Sequence, residues 1–507
     1  MSRISDRFIQ NCTLYPSNNA LFINEKHYTY SELLQLTNSV ILNLKKENVT
    51  EGKIAVYCSD DIETYISILA ISIYGSCYVP INAKNPSDYS QEIISNSDIK
   101  TILYSNKIEL PKQLKNNKVI VVDSKLEKNE INEKNFERII HQEYAYLLHT
   151  SGSTGKPKGV AINNQQINSF FNFFYLENQF HFTEKDRFIQ VFELTFDVSV
   201  FSFFMPLNVG ACCYVVPQNN MKFLETIRII KEHSITVSTF VPTLLNHIEK
   251  YFKELYLPTL KYSFFIGDKL IHSLASKWSK AVPNAEIINF YGPTEATVMC
   301  SFYKWENIKS EDESENDIVP IGKLFPSLVF KIIDENDSII QQNQLGELCL
   351  TGDQVIQQYN KQTNKDSFIE LSDNQIFYKT GDIVHLNKNG NLIFHSRKDR
   401  QVKINSHRIE INEIEAVLRK FLKNSFCIST FLNSKKLDEL ILFIEKDNLN
   451  KIEIDEIKKY LKNAVPNYMI PQVIISIDNI PFNSNQKIDF KKLNEIYHLN
   501  NQFDNNI

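Results

Sequence analysis

The sequence predicts an α/β protein: a large N-terminal domain of α/β subdomains with a small β unit over residues 1–395, then a small α+β domain over residues 401–507. Three observations predict it. Helical and strand periods alternate as far as the region around Asn289, Ile321 to Leu350 turns strand-rich, and a new helix and strand series begins after the charged stretch SRKDRQVK at Ser396. At 507 residues the chain also exceeds one ordinary core, since about 150 residues per domain is usual.

The elements follow in order. Ser31 is placed to cap a helix whose apolar positions Leu33, Leu36, Val40 and Leu44 recur every three or four residues, and KIAVYC from Lys53 reads as a strand. The next helix, Ile62 to Tyr74, stops at Gly75 and gives way to the strands CYVPI, KTILYS near Lys100 and KVIVVD near Lys118. That βαβ rhythm builds a mostly parallel sheet, and it resumes from about Glu143. KIID and GELCL form the small β unit. The last domain reads as a helix Glu410 to Leu422, strands Phe426 to Phe431 and Leu440 to Glu445, a helix Ile454 to Ala464 and the strand VIISI; NNQFDNN reads as a frayed tail.

Composition narrows the function. Hydrophobic residues at 43% and charged residues at 23% exclude wholesale disorder and a membrane bundle. A net charge of −5 gives no ground for expecting nucleic acid or anionic membrane as partner. MSRISDRFIQN lacks a signal-peptide core, and the greasiest stretch, Val198 to Pro217, is broken by Pro206, Asn208 and Gly210, so a cytoplasmic location is expected. The eight cysteines offer no CxxC or disulfide framework and read as buried thiols.

Glycine is scarce, at 13 residues against the usual ~7%, yet three of them fall between Gly152 and Gly159. They belong to TSGSTGKPKG, entered from the strand-like YAYLLH. Inward backbone N–H groups, hydroxyls, Lys156 and Lys158 suit a polyphosphate, although the P-loop spacing fails and a plain surface hairpin has the same small residues. In FDVS, Asp197 stands inside an apolar run and wants a cation or donors, unless it caps the helix that follows. In NFYGPTEATV, Gly292 and Pro293 force a turn after AEIINF, placing Tyr291, Thr294 and Glu295 at the carboxyl edge of a sheet; alone, it is also just a turn. An aromatic face, a hydroxyl and a carboxylate suit a base, a phosphate and a magnesium ion. Asp382 in YKTGD, the Arg397, Asp399 and Lys403 of SRKDRQVKI, and Lys487 in NSNQKID are individually ambiguous among a turn residue, a solvated linker and any surface lysine.

Their order along the whole chain resembles the adenylate-forming (ANL) superfamily of adenylation domains, acyl-CoA synthetases and luciferases. The resemblance runs from YTYSEL at Tyr28 through LAISIYGSCYVPINAKNP, TSGSTGKPKGV, FDVS, NFYGPTEATV, GELCLTG, YKTGD and RKDRQVKINSHRIEINEIE to NYMIP at Asn467 and Lys487. Within it the chain is most similar to amino-acid adenylation domains of nonribosomal peptide synthetases and to stand-alone D-alanine:carrier-protein ligases. The resemblance implies a β-barrel-like character for the small β unit, a mobile C-terminal lid, and a hinge at residues 396–400 centred on Asp399. It implies ATP and Mg2+ as cofactors, aminoacyl-AMP and pyrophosphate as products, and a phosphopantetheine thiol as acceptor.

Roles follow from the same resemblance. Thr150, Ser151, Gly152, Ser153, Thr154, Gly155 and Lys158 would hold the outer phosphates; Tyr291 would lie by the adenine and Asn289 would also bind the nucleotide; Thr294 would touch the α-phosphate; Glu295 would hold the metal. Asp382, helped by Arg397, would bind the ribose, and Lys487 would reach the carboxylate and α-phosphate. Asp197 would pair with the substrate ammonium group, in a pocket of Val198, Phe201, Thr239, Phe264, Ile266, Phe290, Val298 and Met299 that favours a small or compact apolar amino acid. The chain departs from the pattern at Ser406, Gln486 and Ser396, where the family has Gly, and at Asn164 and Asp268, in place of His and Glu. Ser406 bears on the thiol-transfer step. No carrier domain follows Ile507, so the carrier is expected in trans. The competing readings are an acyl- or aryl-CoA synthetase acting on a carboxylate without an amino group, and a nucleotide-binding homologue without turnover.

Overall fold

The computed structural model describes the chain apart from residues 1–2, 126–135, 137–139, 141, 151–156, 177–178, 219–220, 341–342, 361–364, 372–374, 405–406, 423–426, 434–437, 446–450, 483–487 and 505–507. Two compact units emerge. One comprises Met1–Ala83, Ile94–His149 and Gly159–Lys398; the other comprises Lys84–Ile93, Thr150–Lys158 and Asp399–Ile507.

The larger unit holds two α/β sheets. The six-stranded sheet has the order Lys118–Val122, Thr101–Ser105, Lys53–Cys58, Cys77–Asn82, Tyr144–Thr150, Lys158–Asn163, and its first five strands run parallel. The nine-stranded sheet places six parallel strands in its middle, in the order Glu286–Tyr291, Tyr262–Phe265, Val237–Phe240, Arg187–Gln190, Cys212–Val215 and Asn19–Ile23. Antiparallel strands Ser301–Trp305 and Lys323–Leu324 extend one edge, and Lys26–Thr29 closes the other. Central strands such as Val237–Phe240 are buried throughout, as parallel strands covered on both faces must be. One apolar core joins both sheets, with Ile54, Leu103, Phe188 and Phe264 all part of it.

The helix after Thr29 runs Tyr30–Lys46, two residues earlier than a cap at Ser31 predicts. Thr29 caps it instead, because Thr29 and Glu32 complete a reciprocal capping box that Ser31 lacks the following residue to make. The helix Ile62–Tyr74 ends as expected at Gly75, whose φ of 92° is the left-handed geometry that glycine adopts without strain.

The strand-rich region is an antiparallel sheet in which Gln375–Leu386 pairs with Gly346–Gly352, Phe368–Leu371 and Leu392–Arg397, and Leu328–Ile333 pairs with Gly346–Gly352. In the smaller unit Asp438–Glu445 lies between Cys427–Asn433 and Val473–Ile477, with helices Ile411–Leu422 and Lys451–Ala464 close to their expected bounds. Its last element corrects the reading of a frayed tail: Phe490–Asp504 is a helix. Leu493 is buried and Phe490, Ile496 and Tyr497 pack beside it, an apolar stripe hidden among Asn and Lys in the sequence.

Seven described cysteines are free, and six of these are buried. Burial pushes the Cys12, Cys77, Cys212 and Cys349 thiols up to about 12, which makes them unreactive. Among the described residues no helix is long and apolar enough to cross a membrane.

Candidate active site

The strand Glu286–Tyr291 delivers Tyr291 to the carboxyl end of the large sheet, where open α/β folds bind ligands. The turn after it is set by close packing. A methyl group on Gly292 would lie 2.5 Å from the Val298 carbonyl oxygen and 2.8 Å from the Met299 Cα, so only glycine lets the loop fold back on itself. Thr294–Ala296 forms one 3-10 turn, followed by Thr297 and Val298 at φ of 58° and 69°. Such left-handed geometry is costly for β-branched residues and persists only where surroundings enforce it.

Gln354 enforces it. Fully buried, it donates from Nε2 to the Met299 carbonyl at 2.9 Å, while its backbone carbonyl accepts from the Thr297 hydroxyl at 2.5 Å. Glu295 is 1% exposed, and the Tyr359 hydroxyl donates to its Oε1 at 2.8 Å. A carboxylate so deep requires donors or a cation, and its hard oxygens fit a magnesium ion. Gln354 and Tyr359 are residues that sequence reasoning missed, since both are uncharged and lie just beyond the GELCLTG segment.

Asp382 is a strand residue rather than a turn residue, paired in register with Arg397. Arg397 donates from Nη1 to Asp382 Oδ1 at 2.8 Å and to the Thr380 carbonyl at 2.9 Å. From the other side the Tyr291 hydroxyl donates to Asp382 Oδ2 at 2.5 Å. Burial, and next the Asp382 charge, push the Tyr291 phenol well above its ordinary range, keeping it a donor. Gly381, at φ 75°, turns its N–H to Glu347 Oε1 at 3.1 Å, and Lys398 pairs with the other oxygen of Glu347 at 2.9 Å. The SRKDRQVK segment is therefore tied down at Arg397 and Lys398, and beyond them Arg400 pairs with Glu415 at 2.8 Å. Asn289 is buried and donates to the Pro320 carbonyl at 2.9 Å, while its Oδ1 has no partner among the described residues.

Asp197 precedes the helix Val198–Asn208 and stays partly exposed; its side chain makes no capping hydrogen bond, so the capping alternative fails. One turn on, Phe201 meets Phe264 at 6.1 Å between ring centroids, and Phe264 meets Phe290 edge-on at 5.1 Å. Thr239 lies beside Phe264 in register, and Val198, Ile266, Val298 and Met299 are buried. Thr150 ends one strand and Lys158 begins the next. Ser151, Gly152, Ser153, Thr154, Gly155 and Lys156 lie outside the described residues, as do Ser406, Gln486 and Lys487. Asp399 is exposed and accepts from the Gln401 N–H at 3.2 Å.

A family model described as AMP-binding enzyme matches residues 8–360. The chain belongs to that family. Zwittermicin A synthase ZmaJ of Bacillus cereus is 30% identical over 94% of this chain and 92% of its own length. Gramicidin S synthase 1 of Brevibacillus brevis is 30% identical over 97% of this chain, which spans only 44% of that protein. Among solved structures, the Vibrio cholerae adenylation domain AlmE in complex with glycyl-adenosine-5'-phosphate superposes with a TM-score of 0.84 at 26% identity, covering 98% of this chain and 97% of that one. This AMP-binding enzyme is an amino-acid adenylation domain: an AMP-forming ligase that uses ATP to activate an amino acid.

Proposed function

We propose that this adenylation domain activates a small or compact apolar amino acid and passes it to the phosphopantetheine thiol of a carrier protein in trans, in the cytoplasm, where ATP is available. The observation that carries the reading is Asp197, a carboxylate at the start of an apolar helix that does not cap it and stands one turn from the packed rings of Phe201, Phe264 and Phe290. A partly buried carboxylate recognises an ammonium group, and neighbouring rings leave room for little side chain. The AlmE complex with a glycyl adenylate supports a small substrate.

In this reading the substrate carboxylate attacks the α-phosphorus of ATP, an acyl–phosphate bond forms and the bond to pyrophosphate breaks. The carboxylate is already ionised at neutral pH, so positioning and charge neutralisation carry the catalysis. Asp382, held by Arg397 and Tyr291, accepts from the ribose hydroxyls; Tyr291 flanks the adenine, and the free acceptor of Asn289 suits its amino group. Thr294 contacts the α-phosphate, and the loop from Thr150 to Lys158 holds the outer phosphates. Lys487 bridges the two reacting groups, and Asp399 serves as the hinge between residues 1–395 and 401–507. Glu295 would hold magnesium, which supplies positive charge to the phosphates.

The substitution Asp197→Asn tests this. It is expected to lower kcat/KM for the amino acid by at least about a hundredfold, since a charge-assisted contact to the ammonium group is lost, while ATP affinity stays unchanged. Unaltered turnover in this variant would assign the enzyme a carboxylate without an amino group and overturn the proposal.

A further inference from the structure

The two strands that carry Asp382 and Arg397 also bring two histidines together. Asp382 pairs with Arg397 and Ile383 with Ser396, but Val384 pairs with Phe394, which makes His395 the extra residue of a β-bulge. A bulge re-aims the side chain it carries. His395 Nε2 lies 2.7 Å from His385 Nδ1, with ring centroids 4.9 Å apart.

A carboxylate completes the group. Glu315 follows the helix Asn307–Glu313, and its Oε1 is 3.1 Å from His385 Nε2 and its Oε2 3.9 Å from His395 Nε2. Ligating atoms from the three residues all lie within 4.8 Å of one another. The scaffold is held independently of them: Glu313 accepts from the Asn389 and Asn391 side-chain amides at 2.8 Å, and Glu315 and Ile318 exchange backbone hydrogen bonds. The Glu315 side chain keeps 42% of its surface in solvent, which leaves an entry path, while His385 is nearly covered.

We propose that Glu315, His385 and His395 form a site for one divalent transition-metal ion of the zinc class. Two imidazoles and a carboxylate are the donor set of three-ligand zinc sites, with water in the fourth position, and they discriminate against magnesium. The 2.7 Å histidine contact has the length of a shared proton. An ion held by His385 Nδ1 and His395 Nε2 replaces that proton once the rings part by roughly half an ångström, towards the ~3.3 Å edge of a tetrahedron with ~2 Å bonds, and Glu315 turns from His385 Nε2 to bring in Oε2, 3.9 Å from His395 Nε2, as the third ligand. Burial, and next His385, hold the His395 imidazole below its ordinary range, in the neutral form that ligates. Lys269, which donates to the His395 carbonyl at 3.3 Å, opposes a cation, and the Glu315 charge offsets it.

The test is a titration of the full-length, chelator-stripped protein with Zn2+ in excess Mg2+, read against a chromophoric competitor. Wild type is expected to bind one equivalent, with affinity reduced about tenfold or more in His395→Ala and Glu315→Gln, both checked for folding by circular dichroism. Equal zinc binding by wild type and folded variants, or none by wild type, overturns the site. Should a variant fail to fold, Co2+ added to wild type decides: the visible absorption of a tetrahedral nitrogen and oxygen site supports the proposal, and an octahedral aquo-type spectrum defeats it.

Discussion

Tyr291 and Asp382, 91 positions apart in sequence, share a 2.5 Å hydrogen bond that links the end of a sheet strand to the hairpin carrying Arg397. The phenol thereby fixes one oxygen of the carboxylate while Arg397 fixes the other. The substitution Tyr291→Phe removes a buried donor and leaves a carboxylate oxygen short of a partner, at a cost of about 1–3 kcal/mol. Chemical denaturation is expected to show that loss, and steady-state kinetics a rise of about tenfold in the KM for ATP. A variant with lowered stability but unchanged KM would make the bond structural only.

The Gln354 side chain braces the turn of left-handed Thr297 and Val298 by donating to the Met299 carbonyl, while the Thr297 hydroxyl bonds its backbone carbonyl. The substitution Gln354→Ala is expected to destabilise the protein by about 2 kcal/mol or more, since it opens a cavity and strands buried polar groups. It should also depress kcat more than it raises the KM for the amino acid, because Thr294 and Glu295 sit on the same turn. Comparing kcat with KM in the purified variant checks this.

His149 provides a pH signature. Its Nδ1 is sealed from solvent, its Nε2 lies 2.9 Å from the Ser97 hydroxyl, and burial followed by the Lys53 charge lowers the imidazole from 6.5 to about 3. Above pH 6.5 neither folded nor unfolded chain protonates it. Between 6.5 and about 3 the unfolded chain takes up a proton that the folded chain refuses, so stability falls as pH falls, by up to about 1.4 kcal/mol per unit. Urea midpoints of wild type should drop on going from neutral to about pH 5. In His149→Gln the drop should be smaller by one proton's slope, and identical slopes would refute the assignment.

Much of this was legible in the sequence because it rests on local period and on chemistry-bearing residue types. The helix Ile62–Tyr74 and its Gly75 stop follow from apolar spacing and left-handed geometry, and Asp382 and Arg397 are charged residues in marked segments. What was not legible depends on long-range packing. Nothing near Gln354 or Tyr359 signals that they brace a turn some sixty residues away in sequence, as the separations of 55 and 64 show. The turn at Gly292 was marked by its Gly-Pro pair, but the close backbone approach to Val298 and Met299 that demands glycine there was not, nor was the His395 bulge, a register slip that no alternation pattern marks. The helix Phe490–Asp504 was obscured because its apolar stripe is thin amid polar residues.

The central claim is tested most directly by amino-acid-dependent exchange of labelled pyrophosphate into ATP, run on the purified chain across the common amino acids in both configurations. The account predicts exchange stimulated by one or a few small apolar amino acids and abolished by Lys487→Ala. Intact, folded protein that catalyses no exchange with any of them would contradict it.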